Sequence, residues 1–265
     1  MQSAGCFPAE EGEQMVLSML TSGLDFTSML MYIVLDLIVI IISFSFHEWG
    51  HAYAAHRMGD DTARNLGRMT LNPMAHIDPM GMLLIFVAGF GWAKPVPVNP
   101  RNYRNYKKGE FIVSFAGIFM NLMIALVAAL LSCAFAMYDL SLSAAPMNSV
   151  LVKGLCFLQL KAELPTMLYT FFYMLGATNC ALAVFNFLPV YPLDGSHIFI
   201  LIFGKLISPK ALLWIQKNGR IILYVFLGLS ILLSRVFGIS IIGDSADWIY
   251  DKFVSLFSLA AGLFA

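Results

Sequence analysis

The chain has 265 residues, 59% hydrophobic and only 12% charged, with a mean hydropathy of +0.77. A soluble domain carries roughly twice that charged fraction, so the composition excludes an ordinary water-soluble globule and points to a polytopic membrane protein. Sixteen basic and sixteen acidic residues cancel to a net charge of zero, which leaves no electrostatic footprint for nucleic acid.

Residues 1–14 (MQSAGCFPAEEGEQ) have no basic segment of the kind that opens a cleaved signal peptide, and they read as a short acidic tail. The remainder divides into a core at 15–240 and a C-terminal segment at 241–265. Apolar runs are measured against the roughly 20 residues that cross a bilayer as a helix. The first run, 29–56, exceeds that length. A second, 80–92 (MGMLLIFVAGFGW), is too short to span and rich in Gly, so a re-entrant hairpin or short buried element is expected. The third covers 110–137. The fourth starts near 166, meets Pro189 and Pro192, and resumes as a short helix over 195–206. The fifth covers 219–237, and the tail, 246–265, reads as an interfacial helix or a weak sixth span. The expected fold class is therefore all-α: a polytopic helical bundle of about five to six transmembrane helices, one of them broken. The four cysteines (Cys6, Cys133, Cys156 and Cys180) form no C-x-x-C pair and read as apolar packing thiols.

Basic residues set the expected orientation. Arg57, Arg64 and Arg68 follow the first run, and Lys94, Arg101, Arg104, Lys107 and Lys108 precede the third. Lys205, Lys210, Lys217 and Arg220 lie between the broken element and the fifth run, whereas the loop at 139–165 carries only Lys153 and Lys161. The basic-rich connections should face the cytoplasm.

Residues 46–51 read FHEWGH at the end of the first run. On a helix His47 and His51 stand one turn apart and can bind one zinc ion, with Glu48 beside them as general base toward an activated water. A catalytic zinc site needs a third protein ligand. The metzincin extension requires Gly and His where this chain has Ala54 and Arg57. A downstream helical Glu is equally unsupported, since only Glu110 and Glu163 follow and neither sits in an E-x-x-x-D context. The remaining candidate is Asp194, in NFLPVYPLDGSH (186–197), where Asn186, Pro189, Pro192 and Gly195 interrupt an apolar helix. Irregular backbone at membrane depth is tolerated only where it lines a buried or wet cavity, and an acid placed there is a functional candidate.

FHEWGH together with NFLPVYPLDG resembles the site-2 proteases, intramembrane zinc metalloproteases. LGRMTLNPMAHIDPMG (66–81) and GWAKPVPVNPRNYRN (91–105) are similar to the minimal bacterial members, and SFAGIFMN (114–121) to their A-G-P-x-x-N helix start, with Ile118 in place of the Pro. The resemblance covers about residues 30 to 205. It implies one zinc ion per chain on His47, His51 and Asp194, Glu48 as the catalytic acid and base, and Asn121 as a group that holds the substrate carbonyl. It also implies transmembrane protein segments as substrates and a place in a bacterial inner membrane. Asn186 is a second candidate for the carbonyl-holding role, and His76 for the cavity lining; His56 and His197 read as structural. An inactive relative that binds membrane segments, or a zinc transporter, are the competing readings. Intact Glu48 argues against the first, and the single compact polar cluster against the second.

Asp36 lies eleven residues before His47, on the same helical face but about 16 Å away, so it should point into the bundle without touching the metal site. Ser43 should bond back to its own helix. GWAKPVPVNP suits an extended edge onto which an unwound substrate could add as a strand, a plain surface loop being the alternative. On the edge reading, replacing Val96 or Val98 by Pro cuts turnover of a membrane peptide while zinc content, measured by atomic absorption, stays unchanged.

Overall fold

The computed structural model describes residues 26–88, 91–138, 164–238 and 240–262. The acidic tail expected at 1–14 and nearly all of the loop at 139–165 lie outside them.

The first apolar run forms α1 (Phe26–Met58). Its 33 residues extend about 50 Å at 1.5 Å each, against a hydrocarbon layer of about 30 Å. Two stripes divide its surface. Leu30, Val34 and Ile38, four residues apart, are exposed, while Asp36, Ile40, Phe44, His47, Glu48 and His51 line an internal cavity. The 3.6-residue period therefore separates a lipid face from a working face along one helix.

A short helix, α2 (Thr62–Asn65), and a 3-10 turn at Pro73–Ala75 lead to α3 (Pro79–Ala88). The chain then returns in extended form over 91–99, bringing the Trp92 carbonyl against Gly81. The expected short element is thus a helix of ten residues followed by a non-helical return.

The third run forms α4 (Tyr106–Tyr138), the central helix, which packs against α1 and three later elements: α5 (Leu164–Phe187), α6 (Asp194–Phe203) and α8 (Ile241–Gly262). Fully buried Ala125, Ala128 and Ala129 let those backbones approach closely. Tyr169, Tyr173 and Tyr250 fill the space on one side, and Tyr32, Val39 and Met174 on the other. SFAGIFMN does not start a helix. It lies well inside α4, which runs unbroken through Ile118, because without proline every residue there keeps its backbone donor.

The remaining helix, α7 (Pro209–Phe237), begins ten residues before the 219 read from hydropathy. The reason is local. Ser208 accepts from the Ala211 N–H and Pro209 occupies the first helical position, a start signal independent of apolarity. Lys210, Lys217 and Arg220 thus sit on a helix, not in a connection. Among the described residues, four helices are long and apolar enough to cross a membrane: α1, α4, α5 and α7. Exposed Leu213, Ile221, Val225, Leu229 and Leu232 make α7 apolar toward the outside, a surface suited to lipid and not to water. α8 packs along α5 and α4, where it buries Ala246 and Tyr250; the Tyr250 hydroxyl lies 3.0 Å from Ser132 Oγ.

Fully buried Asp60, just past α1, fixes the extended return. It accepts hydrogen bonds from the Asn99 N–H (2.7 Å), Asn102 Nδ2 (2.8 Å) and both the N–H and hydroxyl of Thr62. Arg104 N–H adds a bond to the Met58 carbonyl. Burial opposes the charge on Asp60, but these donors outweigh it and hold its carboxyl below the usual carboxylate range. A lowered pKa means that the clamp stabilises fully above about pH 4 and weakens as pH falls further. Asp60→Asn should therefore cost about 1–3 kcal/mol at neutral pH. It should also flatten the acid side of the stability profile, as read by thermal unfolding in detergent.

Candidate metal centre

α1 delivers His47 and His51 one turn apart, and the break between α5 and α6 delivers Asp194 as the first residue of α6. His51 Nε2 lies 3.1 Å from His47 Nε2. Asp194 Oδ2 lies 3.2 Å from His51 Nε2 and 3.4 Å from His47 Nε2. Three ligands about 2.0–2.1 Å from a tetrahedral zinc ion stand about 3.3 Å apart. The observed triangle fits one face of such an ion. Asp194 Oδ2 is buried without a hydrogen-bond partner, as an atom reserved for a cation would be.

The surroundings orient these groups. His51 Nδ1–H donates to the Val113 carbonyl at 2.7 Å, which fixes the tautomer with Nε2 free to bind. Ser43 Oγ donates to the Val39 carbonyl, as expected, and also accepts from Asn179 Nδ2 of α5, anchoring α1 one turn before His47. Gly117 of α4 faces the imidazoles. A Cβ there would fall 2.5 Å from His51 Nε2 and 2.7 Å from His47 Nε2. Gly195 serves Asp194, since a Cβ would fall 2.1 Å from the Phe187 carbonyl oxygen and push α6 away from the end of α5.

Glu48 is buried in the same cavity, and its Oε2 accepts the Val96 N–H at 2.7 Å. The extended return therefore closes over the acid. Lys94 N–H is likewise turned inward, to the His76 carbonyl, and Pro95 and Pro97 have no donor to offer. Val96→Pro would thus strip Glu48 of a partner as well, so Val98→Pro is the clean probe of the edge reading.

Asn121 is fully buried in the cavity wall with both side-chain polar atoms unpartnered. Asn186 also reaches the cavity, but its Nδ2 is committed to the Leu182 carbonyl. His76 does not line the cavity: its Nε2 bonds the Thr70 carbonyl and it holds the turn beneath the extended return. His56 pairs with Asp61, and His197 with Glu110 at 2.9 Å, tying α6 to α4. Residue types gave no sign of the Val96 N–H or the Val113 carbonyl, because backbone groups exist at every position. The cavity that joins these parts has a volume of about 1120 Å³.

A bundle of apolar helices around a His-His-Asp cluster with an adjacent buried Glu defines a membrane-embedded metallohydrolase. Residues 36–229 match the model of peptidase family M50, and the chain belongs to that family, the site-2 proteases, as a zinc metalloprotease. It is 40% identical over 171 residues to the Bacillus subtilis protein named "Putative zinc metalloprotease YwhC", covering 64% of this chain and 68% of the relative. The proteins named "Putative zinc metalloprotease Rip2" from Mycolicibacterium smegmatis and Mycobacterium tuberculosis are 29% and 30% identical over 58% of this chain. The matched region spans about half of their length (52%). No solved structure matches the chain significantly.

Gly117→Ala should abolish stoichiometric zinc binding while the helical circular dichroism spectrum persists. Atomic absorption on the purified variant checks this; a full zinc complement would show that the cradle is not needed.

Proposed function

We propose that the protein hydrolyses peptide bonds of transmembrane protein segments inside the bilayer, with His47, His51 and Asp194 as the zinc ligands. The observation that carries the proposal is the 3.1–3.4 Å triangle of ligand atoms beside a buried Glu48, within a cavity lined from the apolar interior of the bundle. Bound zinc supplies a Lewis acid that lowers the pKa of water toward neutrality.

The chain's own residues do the rest. The Val96 N–H engages Glu48 Oε2, which leaves Oε1 to take a proton from the attacking water and pass it to the leaving amine. Asn121, with both polar atoms unpartnered, donates through Nδ2 to the carbonyl oxygen of the scissile bond as charge develops there. The substrate helix must unwind locally, since an intact helix keeps its carbonyls hydrogen-bonded. The return over 91–99 borders the cavity; with the Lys94 and Val96 N–H groups committed inward, strand pairing with the substrate runs through Val98. The basic residues after α1 and before α4 favour the cytoplasmic side of a bacterial inner membrane for these connections and for the metal end of α1.

Glu48→Gln should retain one zinc per chain and lower cleavage of a model membrane peptide by about 10²–10⁴-fold, the range for loss of a general acid–base group. Cleavage equal to wild type would eliminate Glu48 as the proton carrier.

A further inference from the structure

The mechanism leaves one buried acid unused. Asp36 of α1 is 6% exposed, and its Oδ2 has no hydrogen-bond partner. It nevertheless lines the same cavity as the metal cluster. Eleven residues separate it from His47, about 16 Å along the helix, too far for it to act on the reacting atoms. Ile40 and Phe44, one turn apart on the same stripe, make the wall between them apolar. An unpartnered carboxyl in an apolar wall at membrane depth is costly, and such groups are functional by default. A site built around a buried polar group also discriminates sharply, because a ligand lacking the matching group leaves it unsatisfied.

We infer that Asp36 is a specificity-determining residue of the proposed protease: it accepts a hydrogen bond from a donor-bearing side chain (amide, hydroxyl or ammonium) of the substrate segment. The inference rests on the protease reading above. An unwound segment advances about 3.3 Å per residue, so the roughly 16 Å between Asp36 and His47 places that side chain about five residues from the scissile bond. Substrates are then selected by a polar residue embedded in an otherwise apolar span, at a fixed distance from the cut.

The test uses the full-length protein in proteoliposomes and single-span peptides of uniform apolar sequence. Each peptide carries one Gln, one Lys or only Leu, scanned from two to eight residues on either side of the cleaved bond. Wild type should show kcat/KM at least about tenfold higher for Gln or Lys than for Leu, only in a window of about four to six residues on one side. Asp36→Leu should erase that preference, whereas Asp36→Asn should keep it for Gln and lose it for Lys. Zinc at one ion per chain shows that each variant is folded, and the positional scan in wild type needs no variant. A preference that persists in Asp36→Leu, or that is the same at every position, overturns the inference. If zinc-loaded wild type cleaves every peptide equally, Asp36 is not a selector and the protease reading stands. If it cleaves none, the protease reading fails and takes this inference with it.

Discussion

Three candidate ligand atoms within 3.4 Å of one another, drawn from helices nearly 150 residues apart in sequence, are the demand that the rest of the bundle meets. Two imidazoles from α1 and a carboxylate from α6 can converge only if α4, between them, yields room. It does so at Gly117, where even one added carbon would lie within 2.7 Å of both rings. The proline-broken turn before α6 then has to press its first residues against the end of α5, which Gly195 permits. Buried alanines along α4 extend the same logic through the bundle. Without a hydrophobic drive between helices in lipid, close packing of small residues is what holds them together.

The arrangement also answers an electrostatic problem. Glu48 and Asp194 are carboxylates among apolar helices, where an uncompensated charge is strongly disfavoured. Glu48 is offset by the Val96 N–H, whereas Asp194 Oδ2 faces the imidazole Nε2 atoms without a donor, and a divalent ion held among them would compensate both acids. The extended return serves two ends at once, since Asp60 anchors it just past α1 while Val96 reaches the buried acid. Among the described residues, Asp36 Oδ2 has neither a donor nor a ligand cluster beside it, and this separates it from Glu48 and Asp194.

Much of this was legible in the sequence because its signals are periodic or chemically distinctive. FHEWGH fixed the histidine spacing, and NFLPVYPLDG announced an acid at a helix break. The hydropathy runs located α1, α4 and α5 to within a few residues. What hydropathy hid was the start of α7, because the polar run QKNGR (216–220) cuts its first turns off from the apolar stretch, and their start is set by the Ser208 cap and Pro209. The position of SFAGIFMN inside a helix was also missed, since a family motif marks residues and not element ends. His76 drew attention as a polar residue near the site, yet its Nε2 is held by the Thr70 carbonyl and it does not line the cavity. The Val113 and Val96 backbone contacts were invisible for a simpler reason: any residue could have made them.

X-ray absorption spectroscopy at the zinc edge tests the convergence most directly, on the purified full-length protein carrying one zinc per chain. The account predicts two imidazole nitrogens and a carboxylate oxygen at about 2 Å, with the carboxylate contribution lost or replaced in Asp194→Asn. An Asp194→Asn spectrum identical to that of wild type, or a first shell containing sulfur, would contradict it.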